Sequence, residues 1–318
     1  MKDLPALRTS LLRWYRKEGR DLPWRRTRDP YAVWVSEMML QQTTVAAVTP
    51  RWGEFLKRFP TVQALAKARQ DAVLAAWSGL GYYRRARALH EASRLIVADH
   101  AGLFPKAPGA RLPGVGDYTR AAVLSIAYGI PMAVVDTNVT RVLQRLMAWK
   151  SGSPGLARKI KDLSQELLPE GRSGDWNQAL MDLGAMVCLP SGPGCGVCPW
   201  PRWCLAKARG LTSRIPGLPE RSKPKAVGLD CVLCERNGRV LIEKRGPGLL
   251  AGHWGLPEGG GGEVLTRVRH RITTHAVTLV LRKAEALPRR LGRTLRWVKK
   301  KDLARFLVSS LWRKALRF

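Results

Sequence analysis

The chain has 318 residues, an apolar fraction of 45% and a formal net charge of +31 from 55 Lys+Arg against 24 Asp+Glu. That length suits two domains with a sizeable core, and the apolar content argues against global disorder. There is no run of 18 apolar residues and no uninterrupted apolar signal core after Met1, so the expectation is a cytoplasmic, nucleoid-associated monomer rather than a membrane-spanning or secreted protein, with nucleic acid the first candidate partner.

From Leu11 to about Leu205 apolar residues recur at three- and four-residue steps, as in Leu65 to Trp77, Ala86 to Val97 and Val139 to Trp149. This predicts an all-α region of many short helices, punctuated by Pro and Gly at positions such as Pro60, Gly79, Gly81, Pro108 and Gly129. Asp29 to Thr44 reads as an apolar helix carrying one acid, Glu37, with Val33, Trp34 and Leu40 on its face. Desolvation there should raise the carboxyl pKa, as a general acid requires.

Leu112-Pro-Gly-Val-Gly-Asp-Tyr-Thr119 precedes an apolar helix expected from Arg120 to Tyr128. Gly114 and Gly116 permit a tight turn whose backbone N–H groups, with the next helix N-terminus, face a phosphate; alone, such a turn is an ordinary helix connection. Asp136 follows an apolar run and precedes an amphipathic helix, where it reads locally as an N-cap. The capping N–H groups should hold it rigid and favour its anion, which suits stabilisation of a positive sugar-like transition state.

Cys188, Cys195, Cys198 and Cys204 form C-x6-C-x2-C-x5-C among turn-forming residues. Zinc with four thiolates is the alternative, but only one short knuckle is present, and a contiguous run of four cysteines fits a 4Fe-4S cluster better. A Pro-rich basic segment, 209–226, reads as a linker. Beyond Val227 the pattern becomes strand-like at Val227 to Cys234, Arg239 to Ile242, Ala276 to Leu281 and Thr294 to Val298, with a hairpin turn at Asn237-Gly238 and a helix from Asp302. Cys231 and Cys234 read as buried hydrophobic thiols.

Together these residues resemble the helix-hairpin-helix DNA glycosylases with an iron-sulfur loop, and within them the adenine DNA glycosylase (MutY) family. Leu22-Pro-Trp-Arg-Arg, Trp34-Val-Ser-Glu-Met-Met-Leu-Gln-Gln-Thr, Gly79-Leu-Gly-Tyr-Tyr, Leu112-Pro-Gly-Val-Gly, Val135-Asp-Thr-Asn-Val and the four cysteines occur in family order. The resemblance implies a multi-domain fold: an all-α glycosylase domain over 1–208 with the 4Fe-4S loop at 188–204, the linker, and a C-terminal α+β Nudix-like (MutT-like) lesion-recognition domain over 227–318.

It further implies that Glu37 protonates adenine, that Asp136 stabilises the sugar intermediate, and that Tyr118 and Asn138 support them. Arg25 and Leu40 would line the adenine pocket, Gln42 and Tyr82 would wedge into the base stack, and Leu112, Gly114 and Gly116 would form the DNA-binding hairpin. Tyr118 stands where strand-cleaving relatives carry a lysine, which implies a monofunctional enzyme acting on duplex DNA with A:8-oxoguanine or A:G mispairs. After Glu258 only Glu263 precedes Arg267-Val-Arg-His-Arg, so the magnesium-binding glutamates of a Nudix hydrolase are missing. Thr274 and His275 retain the hydroxyl and imidazole of the family's Phe-Ser-His lesion-reading loop, whereas Thr273 replaces its aromatic ring. A thymine or uracil mismatch glycosylase of the same fold and a non-catalytic DNA clamp are the rival readings.

Overall fold

The computed structural model describes residues 3–107, 109–217, 224–286, 292 and 294–316. Pro108 and residues 218–223 of the expected linker lie outside the described residues. The helices are α1 (Leu4–Glu18), α2 (Pro30–Leu40), α3 (Val45–Arg58), α4 (Val62–Lys67), α5 (Gln70–Ala76), α6 (Arg84–Asp99), α7 (Asp117–Tyr128), α8 (Thr137–Leu146), α9 (Leu156–Leu167), α10 (Ser173–Asp182) and α11 (Leu205–Ala208). Strands follow at β1 (Lys225–Leu233), β2 (Glu235–Arg236), β3 (Arg239–Lys244), β4 (Trp254–Gly255), β5 (Val264–Ile272), β6 (His275–Lys283) and β7 (Leu295–Lys299), then α12 (Leu303–Phe306) and α13 (Ser310–Leu316).

Two compact units result, and the division does not fall at a single point on the chain: one holds Met1–Gln42 and Ala92–Glu220, the other Thr43–Glu91 and Arg221–Phe318. The α3 to α5 helices therefore belong with the strand-rich C-terminal region. Among the described residues no helix is long and apolar enough to cross a membrane.

In the first unit α2 is the central helix, with Tyr31 through Met39 all buried. A helix apolar on every side is stable only when wrapped by others, and α7 packs along it. Asp29 starts α2, accepting bonds from the Tyr31 and Ala32 N–H groups at 3.1 and 3.3 Å, with Pro30 in the first turn. The α7 helix begins at Asp117, three residues earlier than its apolar pattern suggests, and α8 ends at Leu146, short of Trp149.

In the second unit the expected Leu65 to Trp77 stretch is two helices, broken where Ala68 turns extended. No local breaker announces this; Lys67-Ala68-Arg69 favours helix, and burial of Val62, Leu65, Val73 and Trp77 overrides it. The strands form a β1-β6-β5 sheet, with β1 parallel and β5 antiparallel to β6, and a second sheet in which β3 pairs with β2, β4 and β7. Asn237 and Gly238 both adopt positive φ, 48° and 68°, closing the expected hairpin. Val277, Leu279 and Leu281 of β6 point into a core with Val240, Ile242 and Trp312, while Ala276 and Thr278 face out. Cys231 and Cys234 are buried.

Candidate active site and cysteine recess

Glu37 lies in the last turn of α2 and is 5% exposed. Burial pushes its carboxyl up to about 7; the neighbouring Tyr118 hydroxyl and Arg25 act against that rise, and the Asp136 charge adds to it. Its Oε2 is buried without a hydrogen-bond partner. A carboxyl so placed holds a proton near neutral pH.

Asp136 caps α8: its Oδ1 accepts the Val139 N–H at 2.7 Å and its Oδ2 accepts Asn138 Nδ2 at 3.2 Å. The cap is as expected, but its electrostatic consequence is not. Burial raises the Asp136 carboxyl above its ordinary value, outweighing the Val139 and Asn138 bonds and the Arg141 charge. Local capping geometry carries no information on how deeply other helices desolvate the group. The Tyr118 phenol is raised well above its ordinary range by burial and by the Glu37 and Asp136 charges, so it stays neutral, and its hydroxyl lies 3.2 Å from Met181 Sδ.

Two buried networks hold these groups. Asp182, at the end of α10 and 0% exposed, receives Arg25 through Nη1 and Nη2 at 2.6 and 2.8 Å. It also receives Arg20 through its backbone N–H and Nε at 2.9 and 2.7 Å. Burial alone would raise the Asp182 carboxyl, but these guanidinium partners hold it below its ordinary value. Arg25 is thus fixed by Asp182, and its charge acts on Glu37. In the second network Asn138 Oδ1 accepts Arg141 Nη2 at 2.9 Å, and Arg141 also donates to the carbonyls of Gly184 and Cys188, both at 2.7 Å. A side chain on Gly184 would meet Asn138 Cβ at 2.6 Å, so glycine is what allows the π-helical turn Leu183–Val187 to approach α8.

Sequence reasoning missed Asp182, Arg141 and Arg145. The signal that exposed Glu37, a lone acid in an apolar helical run, is also present in Trp176-Asn-Gln-Ala-Leu-Met-Asp182.

Cys188, Cys195, Cys198 and Cys204 line one recess together with Arg145 and Lys207. Arg145, 2% exposed, donates to Cys188 Sγ at 3.3 Å and to the carbonyls of Leu189, Pro190 and Ile215 at 2.6, 3.1 and 2.6 Å. The Trp200 N–H approaches Cys198 Sγ at 3.4 Å. Among the described residues no group of three or more His, Cys, Asp or Glu is arranged around a single metal ion.

Residues 35–170 match the family model of the HhH-GPD superfamily base excision DNA repair proteins. An adenine DNA glycosylase of Rattus norvegicus is 43% identical over 248 residues, which is 73% of this chain and 48% of the relative. One of Mycobacterium tuberculosis is 42% identical over 207 residues, covering 64% of this chain and 68% of the relative. The chain belongs to the adenine DNA glycosylase family. It spans about half the length of the rat relative. A solved thermostable thymine-DNA glycosylase, 29% identical, superimposes with a TM-score of 0.60 over 65% of this chain and 98% of its own.

The remaining residues singled out in this family member fall into two groups. In the first unit Leu112 is buried at 6% and anchors the hairpin turn through its carbonyl, which accepts the Val115 N–H at 3.1 Å. Gly114 takes φ +72°, and exposed Gly116 opens α7 without any side-chain cap. Leu40 is half-buried, and Gln42 is exposed with φ +55°. In the second unit Tyr82 is 41% exposed with φ +46°. Positive φ at non-glycine residues marks loops held in shape by their surroundings.

Thr273 and Thr274 form the two-residue turn between β5 and β6, Thr273 at φ +53°, and His275 opens β6 opposite Ile272. The expected lesion-reading loop is thus a tight hairpin end, with Arg269, Arg271 and Ile272 in a strand. Arg267, Arg269 and Arg271 are exposed and alternate along β5, an edge of its sheet.

Proposed function

We propose that this chain is a monofunctional adenine DNA glycosylase that hydrolyses the N-glycosidic bond of adenine mispaired with 8-oxoguanine or guanine in duplex DNA. The observation that carries the reading is Glu37: a buried carboxyl at about 7, with an unpartnered oxygen, beside Asp136 and Tyr118. Glu37 donates its proton to the extruded adenine as the bond between the sugar and base nitrogen breaks, so the base leaves neutral. Ionised Asp136, held by Val139 and Asn138, stabilises the positive sugar. Water adds to the sugar carbon and returns a proton to the Glu37 carboxylate, leaving an abasic site. Tyr118 offers a neutral phenol where strand-cleaving relatives offer an amine, so borohydride should trap no covalent protein–DNA adduct; efficient trapping would contradict the monofunctional assignment.

Incubation with duplexes carrying A:8-oxoguanine, A:G, T:G and U:G, followed by alkali, tests the substrate. Breaks at the adenine pairs only are expected. The likeness to a thymine-DNA glycosylase gives the T:G arm its weight, and preferential cleavage there would overturn the reading.

A 4Fe-4S cluster would be held by Cys188, Cys195, Cys198 and Cys204; the reading is supported by the four thiols lining one recess in a single contiguous run and by Arg145, which donates toward a sulfur. When bound, the cluster supplies four iron–thiolate links across the 188–204 loop. In the C-terminal region the Nudix-like reading is of a lesion reader. Glu258 is engaged by Arg245, and the segment after it continues into β5 rather than into a glutamate-bearing helix. Gln42 and Tyr82 would fill the gap left by the flipped base, and Thr274 and His275 would read the opposite base at the hairpin end.

Alternate residues on β5 place the three arginines about 6.7 Å apart, a spacing suited to successive backbone phosphates. Replacing Arg267, Arg269 and Arg271 by Gln should lower the slope of log K against log salt by about 2.7, equally for A:8-oxoguanine and undamaged duplexes. An unchanged slope in a binding titration would show that this strand meets solvent rather than DNA.

A further inference from the structure

The loop carrying Tyr82 is held within the second unit by two sets of bonds. On one side Trp77 Nε1 donates to the Gly81 carbonyl at 3.2 Å, and Arg85 Nη2 donates to the carbonyls of Leu80 and Gly81 at 3.1 and 3.2 Å. Arg51 Nε donates to the Ser78 carbonyl at 2.8 Å. Gly79 is required for that approach, because at φ +89° a Cβ would lie 2.4 Å from the Arg51 guanidinium.

The other set comes from the C-terminal end of the chain. The Val308 carbonyl, in a residue 3% exposed, accepts the Tyr83 hydroxyl at 2.6 Å and Ser78 Oγ at 3.2 Å. Arg313 of α13 donates to Ser78 Oγ. The His253 ring stands edge-on to Tyr83 with centroids 4.7 Å apart. Ser78 and Tyr83 bracket the loop, so the C-terminal segment grips both of its ends while Tyr82 between them stays exposed.

We propose that Tyr83, Ser78 and Arg313 are positioning residues through which the C-terminal segment fixes the strained Tyr82 conformation, so that this segment and the wedge act as one body. This rests on the reading of Tyr82 as a wedge. Inserting a ring between stacked bases requires a backbone that does not relax when pushed, and every loop residue pinned to the C-terminal segment removes one way of yielding. The segment thereby contributes to excision without touching the base.

A double-mutant cycle tests this on the full-length protein, using single-turnover excision of adenine opposite 8-oxoguanine. Tyr83→Phe removes only the hydroxyl, and Ser78→Ala removes the second donor to the same carbonyl. Each should slow excision roughly 5-fold while leaving the thermal midpoint nearly unchanged. In a Tyr82→Ala background neither should slow it further. Loss of the same factor in both backgrounds would mean that the bonds serve the fold alone, and would overturn the inference. If Tyr82→Ala by itself excises at the unmutated rate, the wedge reading fails first and takes the inference with it.

Discussion

Glu37→Gln should reduce adenine excision by roughly 10²–10⁴-fold while leaving duplex affinity nearly unchanged. The amide keeps the size and burial of the side chain but has no acidic proton to give, so only the step that needs the proton is lost. The same substitution should stabilise the protein above neutral pH. The folded Glu37 carboxyl sits at about 7 against an ordinary 4.5, so its favourable contribution is complete below about 4.5 and is lost as pH rises through about 7. Glutamine does not titrate, and near pH 8 the variant gains at most about 3 kcal/mol relative to the parent. An inactive variant with a higher thermal midpoint at pH 8 than at pH 5, each measured against the parent, is the expected signature. A variant that excises adenine normally removes Glu37 from the mechanism.

The largest loss of stability should follow Asp182→Ala. Asp182 is fully buried between Arg25 and Arg20, whose side chains are 11% and 30% exposed. Removing it leaves buried guanidinium charge uncompensated, which costs roughly 3–5 kcal/mol. Denaturant unfolding at neutral pH measures this directly. Because the folded Asp182 carboxyl lies below its ordinary 3.8, its contribution is present above that value and is lost as pH falls through the lower, folded one. The gap between parent and variant should therefore narrow only in strong acid. A gap below about 1 kcal/mol at neutral pH would show that the network is dispensable. Activity should also fall, since Arg25 acts on the Glu37 charge.

Much of the candidate site is legible in the sequence because its signals are local. A lone acid in an apolar run marks Glu37, an acid at the junction of an apolar run and an amphipathic helix marks Asp136, and cysteine spacing marks the recess. Asn237-Gly238 announces its own turn. What stayed hidden depends on distant partners. Asp182 meets Arg20 from 162 residues away, and nothing near either residue announces the pairing. The rise in the Asp136 pKa comes from helices packed around it, whereas the cap that argues for a lower value is adjacent in sequence.

Strand β5 escaped for another reason. Its alternating arginines satisfy the period of a half-buried strand, with Val268 and Ile272 turned toward the core, but the charge of the outward face masks the pattern. Its place at a sheet edge also explains why so basic a strand is tolerated, since charge on an exposed edge discourages pairing with another chain. Arg267, Arg269 and Arg271 thus place three positive charges on a surface leading to the Thr273-Thr274 turn.

The proposed excision turns on a proton held by Glu37 near neutral pH. The most direct measurement is the single-turnover rate of adenine excision opposite 8-oxoguanine from about pH 5 to about pH 9. The predicted profile falls about tenfold per pH unit above about 7, as the Glu37 proton is lost. A rate that stays flat or increases through pH 8 would contradict Glu37 as the acid.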